Sequence, residues 1–191
     1  MKVIGINGSP RKGGNTEIMI RSVFESLEKA GIETELIQVG GLNIHGCLAC
    51  GKCAEMQNGT CIITKDPVND IIQKLIKADG IILGSPTYFT DVTTEIKALI
   101  DRTGFVSYTN GGLYKHKVGA AVVAVRRGGA VHAFDTMNHF FQISQMFIVG
   151  STYWNMGYGL NPGDVTQDEE GMANMSNIGD SMAFLLQKLN G

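Results

Sequence analysis

Lys2-Val3-Ile4-Gly5-Ile6-Asn7-Gly8-Ser9-Pro10-Arg11-Lys12-Gly13-Gly14-Asn15-Thr16 passes from a short apolar run through a glycine-rich segment into a helical period. Val3 to Ile6 reads as a buried strand, and Ile20, Val23, Phe24 and Leu27 follow at the i, i+3, i+4, i+7 spacing of one helix face. The alternation then repeats. Thr34 to Val39, Ile81 to Leu83, Val118 to Val125 and Phe147 to Val149 read as further strands. Helical periods separate them: Val68, Ile71, Ile72, Leu75 and Ile76, then about Thr93 to Arg102, then about Val131 to Gln145. A last helix carries Met172, Met175, Met182, Leu186 and Leu189 on one face. Gly31 stands where a left-handed cap ends the first helix, and Asp66-Pro67 supplies a capping side chain followed by proline at the next start.

Strict alternation of strand and helix implies right-handed crossovers and a parallel sheet with helices on both faces, an α/β doubly wound fold. Five strands suit the flavodoxin-like order 2-1-3-4-5, in which ligands bind beyond the carboxyl ends of the strands, where the first and third flank the reversal. Residues 1–191 are expected to form one such domain, a length that buries about 70% of the unfolded surface. One connection departs from the usual length of about 4–6 residues: Gly40 to Lys65 lacks periodicity and holds all four cysteines. With 16 Lys and Arg against 18 Asp and Glu, the net charge of −2 gives no footprint for nucleic acid or an anionic membrane. The first apolar run is too short for a signal peptide and no stretch reaches the roughly 18 apolar residues of a membrane span, so the expected location is cytoplasmic.

Asn7 to Thr16 has the parts of an anion cradle. Glycines let the backbone approach a phosphate, the helix start offers unpaired N–H groups, Ser9, Asn15 and Thr16 add side-chain donors, and Arg11 adds a cation. A P-loop needs Lys and Ser or Thr after its second glycine, where this chain has Gly14 and Asn15. G-x-G-x-x-G is also incomplete, so a phosphate monoester is the expected ligand; an ordinary helix cap uses the same residue types. Gly84-Ser85-Pro86-Thr87-Tyr88-Phe89 leaves the third strand beside it. Thr87, Tyr88 and Phe89 supply the apolar face and N–H groups that a flat tricyclic ring needs, or form a turn whose aromatics cap the core. After the fourth strand, Arg126-Arg127-Gly128-Gly129 offers an arginine to a reduced, anionic ring, with Gly128 permitting close approach; the alternative for either arginine is an ordinary surface residue.

These blocks resemble the FMN reductase branch of the flavodoxin-like superfamily. Asn7-Gly8-Ser9-Pro10-Arg11 followed by Gly14-Asn15-Thr16 is similar to that family's FMN phosphate motif, and Ser85-Pro86-Thr87-Tyr88 followed by Lys97 and Asp101-Arg102 to its second block. The resemblance implies FMN, with Ser9, Arg11, Asn15 and Thr16 at the phosphate and Pro86, Thr87, Tyr88 and Phe89 at the ribityl chain and ring. Lys97, Asp101 and Arg102 are left out of the site. Lys97 and Asp101, at i, i+4, read as a surface pair worth a few tenths of a kcal/mol.

Cys47-Leu48-Ala49-Cys50-Gly51-Lys52-Cys53, then seven residues, then Cys61, has the spacing C-x2-C-x2-C-x7-C. Thiolates at i, i+3 and i+6 can converge on one object, with Gly46, Gly51 and Gly59 letting the chain wrap it. A bacterial ferredoxin shares the first three spacings, and four cysteines match one cubane. An all-cysteine zinc site usually pairs two C-x2-C units across a longer gap, so zinc is the less natural fit and stays open, as do free or paired thiols. Together with the FMN motif, the segment resembles the iron-sulfur flavoproteins over Asn7 to about Gly159, the gap of seven lying at the long end of that family's range. The resemblance implies an anaerobic homodimer or homotetramer with a 4Fe-4S cluster on Cys47, Cys50, Cys53 and Cys61. It further implies a ferredoxin-like donor, a small-molecule or protein acceptor, and a cluster of one subunit serving the flavin of another. Expected is electron transfer in which no side chain acts as acid or base; the alternatives are an NAD(P)H-dependent FMN or quinone reductase with a structural zinc or thiol loop, and a redox or oxygen sensor.

The remaining candidates are structural. His45, His116, His132 and His139 read as surface or helix residues, and the methionines as core. The aromatic stretch Thr152 to Tyr158 reads as an oligomer contact in preference to a cover over the flavin.

Overall fold

The computed structural model describes residues 1–191. Strands β1 (Lys2–Asn7), β2 (Glu33–Gln38), β3 (Gly80–Pro86), β4 (Val118–Val125) and β5 (Phe147–Ile148) are parallel and stand in the order β2-β1-β3-β4-β5. Six helices accompany them: α1 (Asn15–Lys29), α2 (Lys52–Met56), α3 (Val68–Lys77), α4 (Thr94–Thr109), α5 (Ala130–Ile143) and α6 (Glu169–Asn190). Alternate strand residues divide between two cores. Val3, Ile82, Ala120 and Val122 pack with Met19, Ile20, Val23 and Phe24 of α1 and Met175, Ile178 and Met182 of α6. Ile4, Ile6, Ile81, Leu83, Ala121 and Val123 face α3, α4 and α5 through Ile72, Leu75, Ile96, Leu99, Met137 and Phe141. Each fully buried aliphatic side chain contributes roughly 1.5–3 kcal/mol, so the double coverage is what holds such continuous apolar strands.

The helix ends follow the sequence signals. Gly31 takes φ +77, its N–H donates to Glu28 O at 2.9 Å and Ile32 N–H to Leu27 O at 3.0 Å, the paired bonds of a Schellman cap. At α3 the Asp66 Oδ1 accepts the Val68 N–H at 3.2 Å, as a capping side chain should.

Three details differ from the sequence reading. α4 runs seven residues past Arg102, through Gly104. Lys52–Met56 is helical within the long connection, too short to show a period. The fifth strand is in two pieces, since β6 (Met156–Tyr158) also pairs with β4, opposite Val123 to Val125. The intervening turn is held by the buried Asn174, whose Oδ1 accepts from Thr152 Oγ1 at 2.8 Å, Ser151 Oγ at 3.1 Å and the Tyr153 N–H at 3.2 Å. No helix is long and apolar enough to cross a membrane.

Candidate functional site

Two groups of residues stand apart from the core. The first lies at the carboxyl edge, where β1 and β3 flank the reversal of strand order. Asn7, buried at the end of β1, shapes the following loop: its Oδ1 accepts the Ser9 N–H at 3.0 Å and its Nδ2 donates to Gln38 Oε1 at 2.7 Å. Gln38 Nε2 donates in turn to the carbonyls of Ser9 (2.6 Å) and Gly40 (2.8 Å), and Thr93 Oγ1 to that of Gly8 (3.0 Å). Packing is so close that a Cβ on Gly40 would lie 2.2 Å from the Ser9 carbonyl carbon. In this rigid turn the N–H groups of Lys12, Asn15, Thr16 and Glu17 donate to no protein acceptor, and Thr16 Oγ1 is buried without a partner. Unpaired amides at a helix start, with a hydroxyl among them, form a ready anion site. Glu17 takes one amide out of it: its carboxylate accepts the Gly13 N–H at 2.7 Å, and that bond, followed by Arg21, holds its carboxyl below the ordinary range against partial burial.

Two of the expected phosphate residues are otherwise occupied through their side chains. Asn15 Oδ1 accepts the N–H groups of Gly163 (2.9 Å) and Val165 (3.3 Å) while its Nδ2 donates to Asn161 O (3.0 Å). Arg11 Nη1 donates to Leu160 O at 2.9 Å. Both therefore tie residues 160–165 to the cradle, and Asn15 offers it a backbone N–H in place of its amide. Ser9 Oγ accepts the Arg11 N–H at 3.2 Å and keeps its own proton to donate.

The loop after β3 corrects another expectation. Thr87 N–H donates to Ala124 O at 2.9 Å and Tyr88 N–H to Asp91 O at 2.8 Å, so neither is free to meet a ring edge. Phe89 and Thr90, at φ 44 and 70, keep unpaired N–H groups, and the Phe89 side chain is wholly exposed. Thr87 Oγ1 is buried and unpartnered. Asp91 anchors this loop to α5 through Thr136 Oγ1 (2.8 Å) and His132 Nε2 (3.5 Å); burial pushes its carboxyl up, but the Val92 N–H, Thr136 and His132 outweigh it and hold it low. Gly129, at φ +85, packs on Thr90 and Thr87, which brings the exposed Arg126, Arg127 and Gly128 beside the same loop.

The second group is the cysteine segment. All four thiols are free: Cys47 and Cys50 exposed, Cys53 buried, Cys61 half-buried. They line one cavity of about 20 Å³ with the apolar side chains of Leu48, Ile62, Ile63, Phe105 and Val106, and with Arg102. Left-handed residues bend the backbone round it, namely Ala49, Gly51, Gln57 and Gly59, whereas Gly46 has no such conformation. Side chains of α3 and the end of α4 pin the segment. Asn69 Oδ1 accepts the Cys61 N–H at 2.8 Å and its Nδ2 donates to Cys61 O at 2.9 Å; Asn110 accepts the Gly59 N–H at 2.9 Å and donates to Cys53 O at 3.3 Å.

Arg102, left out of the site in the sequence reading, is fully buried under this segment. Its Nη1 donates to Asp66 Oδ2 and to His45 O (3.2 Å), and Nη2 to Ile63 O (3.1 Å), while Nε–H has no partner. Burial raises the Asp66 carboxyl, but Arg102 and the His45 and Val68 N–H groups outweigh it and hold it below the ordinary range. Burial likewise weakens the Arg102 charge, and Asp66 and the Cys61 thiol more than restore it. Four soft donors, apolar walls and an unpaired buried N–H fit a thiolate-bound group. No three His, Cys, Asp or Glu side chains converge to hold a single metal ion.

Lys97 and Asp101 form the exposed pair expected of them, at 2.6 Å. His45 is exposed, its ring nitrogen bonded to Gly46 O. Gln38, Thr93 and Asn69 have no role in the sequence reading, which takes Asn7 as part of the cradle and leaves Arg102 out of the site; the available signal is a polar residue closing an apolar strand, which Asn7 and Gln38 share.

The model of the NADPH-dependent FMN reductase family matches residues 1–161. An iron-sulfur flavoprotein of Methanocaldococcus jannaschii is 39% identical over 194 residues, covering 98% of both chains. Another, from Methanosarcina thermophila, is 33% identical over 98% of this chain and 96% of its own. Among solved structures, a WrbA-like flavodoxin of Agrobacterium tumefaciens superposes with a TM-score of 0.69 over 98% of each chain at 15% identity, a likeness of fold.

Proposed function

The chain belongs to the NADPH-dependent FMN reductase family, in its iron-sulfur flavoprotein branch, and we propose that it moves electrons between a ferredoxin-like donor and an acceptor through a 4Fe-4S cluster and FMN. Its class of activity is flavin-dependent oxidoreduction. The observation that carries the finer reading is that Cys47, Cys50, Cys53 and Cys61 line one cavity closed by a buried arginine. The spacing C-x2-C-x2-C-x7-C departs from the two C-x2-C units of a usual all-cysteine zinc site, which supports a cluster over zinc. Cys61 shares the cavity and has both backbone polar groups fixed by Asn69, which supports it as the fourth ligand.

When bound, the cluster would pass single electrons and FMN take one or two, so that one-electron and two-electron partners can be joined. The chain's own part is to hold both. Amides of Lys12, Asn15 and Thr16 with the hydroxyls of Ser9 and Thr16 would take the phosphate, and Arg11 would add charge from the loop it ties down. Pro86 and Thr87 would lie along the ribityl chain, with the Phe89 N–H, Tyr88, Arg126 and Gly128 at the ring. The cysteine cavity meets α4 at Arg102, Phe105 and Val106, eight to twelve residues beyond Thr94, about 12–18 Å along the helix from the carboxyl edge. With Cys47 and Cys50 exposed, that displacement supports transfer from the cluster of one subunit to the flavin of another in a homodimer or homotetramer.

The family's description favours a second reading, direct reduction of FMN by NADPH. Stopped-flow bleaching of the flavin separates the two: faster reduction by reduced ferredoxin supports electron transfer through the cluster, and faster reduction by NAD(P)H supports the reductase.

A further inference from the structure

Arg102 is placed to do more than fold the chain. Its side chain has no exposed surface, yet it forms part of the wall of the cavity that the four thiols share. Its hydrogen bonds go to oxygen: two reach carbonyls at either end of the ligand segment, His45 two residues before Cys47 and Ile63 two after Cys61, and the third reaches Asp66. They fix the guanidinium plane and leave one N–H of this cation unpaired and buried. An unpaired buried donor on a charged group is more costly than a neutral one, and a sulfur acceptor would remove that cost.

We infer that Arg102 is a positioning residue for the thiolate-bound cluster, clamping both ends of residues 45–63 and donating its Nε–H to a cluster sulfur or to the Cys61 thiolate. Hydrogen bonds to sulfur and nearby positive charge are among the protein's means of raising a cluster's potential, because both favour the form that carries the extra electron. Arg102 supplies both from within the cavity wall, and Asp66, its counter-ion, does not line the cavity. The inference rests on the cluster reading and deepens it, assigning the potential to a residue outside the cysteine motif.

The test separates the two. Iron, acid-labile sulfide and zinc are first measured in the anaerobically purified wild-type protein: iron with sulfide upholds the cluster, and zinc without sulfide overturns both statements. The cluster's one-electron potential is then titrated in wild type, in Arg102→Lys, and in Asp66→Asn/Arg102→Gln, which leaves no lone buried charge. The expected result for the double variant is a cluster at least about tenfold harder to reduce, a shift of 59 mV to more negative potential for one electron. Arg102→Lys recovers part of the shift, and the Fe–S(Cys) stretching bands move in both variants. Should the double variant fail to fold or to keep its cluster, Arg102→Lys, which retains the cation without the directed Nε–H, carries the comparison through those bands. Unchanged potential and unchanged bands in variants that keep iron and sulfide would overturn the inference.

Discussion

The loop after β1 and the loop after β2 are each candidate cofactor cradles, and they are built in opposite ways. Residues 8–16 are held by the protein's own contacts: Asn7, Gln38 and Thr93 fix the turn, Gly8 and Gly40 let chain segments touch, and the donors are backbone amides whose direction follows from the fold. Residues 40–65 present side chains on irregular backbone, two of the four thiols lie exposed, and order comes from Asn69, Arg102 and Asn110 gripping its ends and middle. An anion held by amides needs only correct local backbone. A group held by thiolates supplies part of the order itself, because binding and folding of the segment are coupled.

The sharpest break of this contrast is Cys53→Ser. It should abolish iron and sulfide binding and lower hydrogen-exchange protection across 40–65, while FMN content and protection of residues 8–16 stay at wild-type levels. Next is Asp66→Asn, which strands the buried Arg102 charge and should destabilise the chain by about 3–5 kcal/mol in urea titration. The same residue gives a pH signature. A carboxyl held below its ordinary 3.8 binds protons less readily folded than unfolded, so its contribution is complete above that value and disappears as pH falls through the lower, folded one. In Asp66→Asn the corresponding acid slope should flatten.

On the other side of the comparison, Gly40→Ala drives a methyl into the Ser9 backbone. An overpacking cost of about 1–3 kcal/mol should appear as FMN affinity reduced about tenfold, with the cluster's potential unmoved. Thr16→Val removes one unpartnered hydroxyl and should weaken FMN by about 1 kcal/mol, roughly fivefold, in fluorescence titration. Lys97→Ala sharpens the baseline: an exposed i, i+4 pair should cost about 0.3–0.5 kcal/mol and leave both cofactors untouched.

The same division separates what the sequence reveals from what it conceals. β1, β3 and β4 are continuous apolar runs because both faces are covered, and the anion cradle is a local strand-turn-helix pattern, so both are legible along the chain. Phe147–Ile148 lies in the run read as the fifth strand, whereas Met156–Tyr158 is too short to carry a period and continues that strand only because both pieces lie against β4. Nothing local marks Arg102; that it is buried depends on Asp66, 36 positions away, and on a loop with no pattern of its own. The engagement of the Thr87 and Tyr88 amides is equally non-local for Thr87, whose acceptor is the carbonyl of Ala124 on the neighbouring strand.

Cofactor analysis of the anaerobically purified chain tests the central claim most directly, with FMN, iron, acid-labile sulfide and zinc measured on one sample beside its visible spectrum. The prediction is FMN together with iron and sulfide in equal amounts, and with no stoichiometric zinc. Zinc without sulfide would contradict the cluster, and a colourless protein would contradict both sites.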